Sequence, residues 1–310
     1  MKLPGHYKLK RLLFKSIRFK SEDNILIFAD PRGGSTWLAE VMKGILKKPI
    51  LWEPLHVGKI KQLQQLKFSY RQYIPEDASW DDAHSYFDDL FNGKIISNWI
   101  YHREPMFNFV TNKSVIIKLC RGNLLIPYIV KNFSFNKKPI YLIRHPFAVV
   151  ASQLKQGGWD NTGVTFKLGD YRYNEHYLKH ESFLKTLSTK EEVLTATWCL
   201  TNQSTLINPN NDREWITVTY EEMVLEPKET LVRILKRWGV SSNSNTINFK
   251  KKSDTSIQKK PLSDEERLNQ WRKVFSKDQI FKMDAVLKYF EVEHYSSEEV
   301  LPLIKYNDAD

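Results

Sequence analysis

The chain has 310 residues, 41% of them hydrophobic, enough to bury one large core, and a formal net charge of +11 from 47 basic and 36 acidic side chains. That excess favours anionic partners, which on charge alone include nucleic acid, a nucleotide, an acidic glycan or a membrane surface. Cys120 and Cys199 each stand among apolar neighbours and point to buried thiols, not to a disulfide framework. No run approaches the ~18 apolar residues of a membrane span and no continuous apolar signal core is seen, so a cytoplasmic or otherwise soluble protein is expected.

Residues 1–22 form a basic lead-in, with Lys2, Lys8, Lys10, Arg11, Lys15, Arg18 and Lys20 interleaved with Leu9, Leu12, Leu13, Phe14 and Ile17. A helix packed on the domain and a helix touching a membrane through residues 1–20 both fit this pattern. Asn24 to Ala29 reads as a buried strand, followed by Asp30-Pro31-Arg32-Gly33-Gly34-Ser35-Thr36-Trp37 and a helix whose apolar positions 38, 41, 42, 45 and 46 share one face. A strand, a turn with two glycines and a hydroxyl pair opening a helix make an anion cradle. Backbone N–H groups approach the ligand, the helix N-terminus adds partial positive charge, and Arg32 adds a full one.

Ile50 to His56 is a short extended piece, and residues 57–110 read as an insertion covering one end of a sheet. Lys113 to Cys120 and Pro139 to Ile143 are further strands, separated by a helix over Asn123 to Phe133. Helices are expected over Phe147 to Lys155, Tyr173 to Thr186 and Lys190 to Leu206. Trp215 to Tyr220 is the last strand, Pro227 to Trp238 a helix with Pro at its start and Gly239 past its end, and Ser263 caps another helix. A final helix spans about 277–290, after a Lys-rich loop over 241–262. Strands alternating with helices predict an α/β chain: a P-loop-like three-layer fold with a central, mostly parallel sheet flanked by helices. One domain over 23–295 and a C-terminal tail over 296–310 complete the expected organisation.

A second candidate anion site follows the strand ending at Ile143. Arg144 stands at the C-terminal edge of a parallel strand, where open α/β sheets bind ligands, and Ser152 lies about two helical turns further on.

Together these segments resemble the sulfotransferases that use 3′-phosphoadenosine 5′-phosphosulfate (PAPS). Pro31 to Trp37 resembles their 5′-phosphosulfate loop, and Arg144 with Ser152 resembles their 3′-phosphate site. Val218-Thr219-Tyr220-Glu221-Glu222-Met223, with Pro227 beyond, resembles their late strand, whose Tyr reaches the nucleotide. The resemblance implies that Arg32, Gly33, Gly34, Ser35, Thr36, Trp37, Arg144, Ser152 and Tyr220 bind PAPS, with adenosine 3′,5′-bisphosphate (PAP) as product. Lys260, in Lys259-Lys260-Pro261, resembles a Lys-Pro element that closes over the 3′-phosphate. It further implies that Arg32 stabilises the leaving phosphate and that no metal takes part.

Glu53 lies twenty-one residues beyond Arg32, a spacing similar to that of the catalytic Glu of tyrosylprotein sulfotransferases. Glu53-Pro54-Leu55-His56 also resembles the Glu-Pro-x-x-His stretch of some carbohydrate 6-O-sulfotransferases. Glu53 is therefore the expected base and His56 the second candidate. A carbohydrate or glycolipid hydroxyl is the expected acceptor, ahead of a peptide, with Tyr70, Tyr73, Trp80, Trp99, Tyr101 and Trp159 as ring surfaces. A P-loop kinase is the first alternative, although no Gly-x-x-x-x-Gly-Lys-[Ser/Thr] is present. A nucleic-acid-binding protein is the second, although the basic residues are scattered and no recognised nucleic-acid motif appears.

Overall fold

The computed structural model describes residues 14, 16–157, 165–167, 169–240 and 263–306. Five parallel strands make one sheet: β1 (Ile25–Ala29), β2 (Ile50–Trp52), β3 (Ile116–Cys120), β4 (Ile140–Ile143) and β5 (Ile216–Thr219), in the order β2-β3-β1-β4-β5. Every strand residue is buried, as expected for a parallel sheet covered on both faces.

The strand period of two divides the sheet between two cores. Ile25, Ile27, Ile116, Ile140, Leu142, Ile216 and Val218 face helices α1 (Ser35–Leu46), α6 (Tyr220–Leu225) and α7 (Pro227–Arg237). Leu26, Phe28, Leu51, Ile117, Leu119, Tyr141 and Ile143 belong to a larger core on the other face. That core includes residues of α2 (Asp81–Phe91), α3 (Ile126–Asn132), α4 (Pro146–Gln156), α5 (Lys190–Leu206) and α9 (Lys277–Tyr289), while α8 (Asp264–Asn269) precedes α9 in the chain. This is the three-layer α/β fold read from the sequence. Each fully buried Val, Leu, Ile, Phe or Met side chain contributes roughly 1.5–3 kcal/mol, and these two cores hold most of them.

Helix starts follow local chemistry. Thr189 and Glu192 form a reciprocal capping box at α5, Thr219 and Glu222 at α6, and Ser276 and Gln279 at α9. Two expectations change. The helix expected over Tyr173 to Thr186 is two single turns, Glu175–Leu178 and Glu181–Leu184. Each turn is held by its own partners: His176 stacks on Tyr73, whereas Phe183 stacks on Tyr289. The helix expected from Asn123 starts as a 3₁₀ turn, Asn123–Leu125, before α3.

Phe14, Ile17 and Phe19 are buried in the larger core, while residues 1–13 and 15 of the basic lead-in lie outside the described residues. Among the described residues no helix is long and apolar enough to cross a membrane.

Candidate active site

The chain crosses from β2 to β3 and then over β1 to β4, so ligands belong at the C-terminal edge of the sheet, beside β1. All five strand ends there carry candidate residues. After β1, the Gly33 N–H donates to the Asp30 carbonyl at 2.9 Å and closes the turn. Arg32 (φ 71°) and Gly34 (φ 99°) are both left-handed, and Gly34 is the N-cap of α1 without any side-chain cap. The first N–H groups of α1 are therefore left for an outside acceptor.

Gly34 is also fixed by space, because a Cβ there would sit 2.5 Å from the Tyr220 ring. Gly34→Ala combines a left-handed penalty of about 1–2 kcal/mol with displacement of Tyr220. It should weaken PAP binding about tenfold or more by calorimetry; unchanged affinity would dissociate this turn from the nucleotide.

Two arginines converge on the turn. Arg32 Nε donates to Ser152 Oγ at 3.1 Å, and the Arg144 guanidinium donates to the Arg32 carbonyl at 3.1 Å. Arg144 lies 4.3 Å from the Tyr220 ring centroid, and Trp37 meets Tyr220 edge-on at 6.0 Å. The structure thus brings the loop, Trp37, Arg144, Ser152 and Tyr220 together from four elements. Ser35 is buried with its Oγ 3.2 Å from Cys120 Sγ, so its side chain ties the loop to β3. Among the described residues neither arginine has an ion-pair partner, and Arg144 Nε is buried without any hydrogen bond. Burial, and then the neighbouring Arg144, lowers the Arg32 pKa. Two adjacent cations with an orphaned buried donor fit a polyanion.

Glu53 follows β2 with φ 40° and meets two cations from β3 and its end. Its carboxylate lies 2.7 Å from Lys118 Nζ and 3.5 Å from the Arg121 guanidinium, Lys118 being only 2% exposed. Burial would raise the Glu53 pKa, but Lys118, Arg121 and His56 outweigh it and hold the carboxyl below its ordinary value. The side chain is a carboxylate near pH 7, able to accept a hydrogen bond from a hydroxyl. His56 is half-buried with Nδ1 unpartnered, and burial and Arg121 lower its pKa, so its imidazole is neutral near pH 7. Trp99 Nε1 donates to the Glu53 carbonyl at 3.2 Å.

Strain concentrates here. Arg32, Glu53 and Arg121, which follow β1, β2 and β3, all have positive φ, a conformation costing about 1–3 kcal/mol per residue where side chains are bulky. The Arg121 N–H bonds the Ala29 carbonyl at 3.1 Å, so the ends of β1 and β3 are braced together.

The other half of the site is backed by the C-terminal segment. His145 Nδ1 accepts from the Phe147 N–H at the start of α4, and Nε2 lies 3.1 Å from the Ser296 and Glu299 carbonyls. Its ring stacks on Trp271. The Glu221 carboxyl accepts from the His145 N–H and the Tyr295 hydroxyl, both at 3.0 Å. Burial pushes the His145 pKa down to about 3, so it folds as the neutral ring. Between about pH 6.5 and 3 the unfolded chain then binds the extra proton. Stability from this group is present above pH 6.5 and is lost as pH falls through that window, at up to ~1.4 kcal/mol per unit. His145→Asn, which retains a capping side chain, should flatten the pH dependence of the urea midpoint over this range. An unchanged slope would remove His145 as its source.

Sequence reasoning missed Lys118, Arg121, Gln153 and Glu221. Lys118 had a signal, a charge inside an apolar strand; Gln153, which bonds the Pro31 carbonyl at 3.1 Å, had none. Trp80 and Tyr101, expected as ring surfaces, are core residues at 6% and 4% exposure, because they pack against Phe68 and Phe109. Tyr73 packs on His176, leaving Tyr70 and Trp99 as the ring surfaces beside Glu53. Lys260 and Trp159 lie outside the described residues. Among the described residues no group of three or more His, Cys, Asp or Glu side chains is placed to hold a metal ion.

A family model described as the sulfotransferase domain matches residues 22–298. Mouse sulfotransferase SULT7A1 complexed with PAP is 16% identical, with a TM-score of 0.45, covering 89% of this chain and 86% of its own. Retinol dehydratase in complex with androsterone and inactive cofactor PAP is 13% identical, with a TM-score of 0.45 and coverages of 98% and 88%. The sulfotransferase domain from the curacin biosynthetic pathway is 17% identical, with a TM-score of 0.41 and coverages of 87% and 98%. No curated protein matches. With the domain model spanning most of its length, the chain belongs to the sulfotransferase family.

Proposed function

We propose that this sulfotransferase moves the sulfuryl group of PAPS to a hydroxyl of a carbohydrate or glycolipid by in-line displacement. The observation that carries the donor assignment is the arginine pair beside the phosphate loop, with neither cation in an ion pair among the described residues and the Arg144 Nε orphaned in the interior. In this reading the N–H groups opening α1, with Arg32, Ser35 and Thr36, hold the 5′ end. Arg144 and Ser152 take the 3′-phosphate, and Trp37 and Tyr220 flank the adenosine. PAPS brings the activated sulfuryl group.

Sulfuryl transfer, like phosphoryl transfer, asks for positioning and charge stabilisation more than covalent help. Arg32 neutralises charge gathering on the leaving phosphate. Glu53, already ionised, takes the acceptor proton as the oxygen attacks, and Lys118 and Arg121 keep that carboxylate oriented. The neutral His56 is the alternative base.

The test is titration with PAP in the absence of magnesium. Saturable binding, at least 100-fold tighter than that of AMP and lost in Arg144→Gln, is the expected result. Magnesium-dependent ATP binding in its place would overturn the assignment in favour of a kinase.

A further inference from the structure

The surface beside Glu53 is cationic, and two of its exposed cations are held by rings and not by acids. Arg103 lies 4.2 Å from the centroid of Trp52, and Lys59 lies 5.6 Å from that of Trp99. Both are exposed, and among the described residues neither forms an ion pair with a carboxylate. The nearby acids are already engaged: Glu53 by Lys118 and Arg121, and Glu104 by Lys43 at 2.5 Å. From Pro54 to Pro75 the chain carries four Lys or Arg residues and no Asp or Glu. A ring face adjoins these cations. Tyr70 is 44% exposed, with its hydroxyl accepting from the Gly58 N–H at 3.1 Å and its ring edge-on to His56.

Unpaired cations placed by cation–π contacts lose little side-chain freedom when an anion arrives, so they serve recognition better than flexible surface lysines. An exposed, tethered tyrosine ring offers a flat face to the C–H side of a sugar. We infer that the acceptor is an acidic carbohydrate, a hexuronic-acid-bearing glycan whose carboxylate is met by Lys59 and Arg103 while its ring lies on Tyr70, next to Glu53. The inference rests on the proposed sulfotransferase reaction and names its acceptor class. An anionic acceptor also avoids repulsion from Glu53, whose charge is balanced by Lys118 and Arg121.

The experiment compares transfer from ³⁵S-labelled PAPS to unsulfated chondroitin and heparosan, each beside its carboxyl-reduced counterpart, with PAP affinity measured separately. The expected result is at least a tenfold higher kcat/KM for one acidic polymer than for its reduced form, with the gap closing as salt is raised. The Lys59→Ala/Arg103→Ala double variant should raise KM for that acidic polymer about tenfold while PAP affinity stays within twofold. Equal rates on acidic and reduced polymers, transfer to neither, or a preference for a phenol or an acidic tyrosine peptide would overturn the inference. With PAP binding intact, any of those outcomes leaves the donor assignment standing; absence of PAP binding overturns both.

Discussion

Arg32→Ala should lower kcat/KM for PAPS about 10³-fold, roughly 4 kcal/mol of transition-state stabilisation, while PAP affinity falls by no more than about tenfold. The asymmetry follows from what the residue is asked to do. Charge accumulates on the leaving phosphate only as the bond to sulfur breaks, so a guanidinium aimed there contributes more to the rate than to ground-state binding. In the proposed site, Arg144, Ser152 and the N-terminus of α1 would still hold the bisphosphate product. The fold should tolerate the change, because the Arg32 side chain is only partly buried and, among the described residues, its side-chain hydrogen bond is to Ser152 Oγ. Arg32→Lys separates charge from geometry. A point charge on a flexible stem should recover part of the rate, but it lacks the planar fork and the Nε–H that Ser152 accepts. Single-turnover measurement of both variants is the check, and a kcat/KM for Arg32→Ala within tenfold of the parent would remove Arg32 from the chemistry.

Glu53→Gln should reduce turnover at least 10²-fold with PAP affinity unchanged. An amide cannot take the acceptor proton, and general-base catalysis contributes typically 10²–10⁴-fold. A stability cost accompanies it, because Lys118 is 2% exposed and would lose its charge partner, which for a buried pair costs about 3–5 kcal/mol. Glu53→Asp keeps the charge and shortens the reach, so it should remain folded while losing about tenfold to 100-fold in rate. The pH profile separates the two candidate bases. Since Lys118 and Arg121 hold Glu53 below its usual 4.5, the acid limb of kcat/KM should lie below that value and vanish in Glu53→Gln. An acid limb below 6.5 that survives in Glu53→Gln and disappears in His56→Gln would transfer the role to His56.

Much of the candidate phosphate-binding half was legible because it is local. Strand, glycine turn and helix are contiguous, and the special φ at Gly34 is written as a glycine. Arg144 and Ser152 lie on one strand-to-helix junction, and Tyr220 directly follows β5. The candidate acceptor half was less legible because it is assembled across the sheet. Glu53 was expected from the family resemblance, but its partners come from β3 and the turn after it, more than sixty residues away, and Trp52 is paired in register with Lys118 across two parallel strands. The two halves meet through Ser35 and Cys120, a contact that no sequence pattern announces.

By itself the sequence determined the α/β class, the strand–glycine turn–helix unit after β1 and the family resemblance, since each depends on periodicity, turn chemistry or short motifs. Only the tertiary structure decided that Glu53 sits ionised between two cations, that Arg32 is joined to Ser152 and Arg144, and that His145 ties α4 to the C-terminal segment. Those are long-range electrostatic and hydrogen-bonding facts. A carboxylate in a sequence carries no sign of whether burial or a neighbouring charge will win, and here the lysine supplied by the adjacent parallel strand settles it.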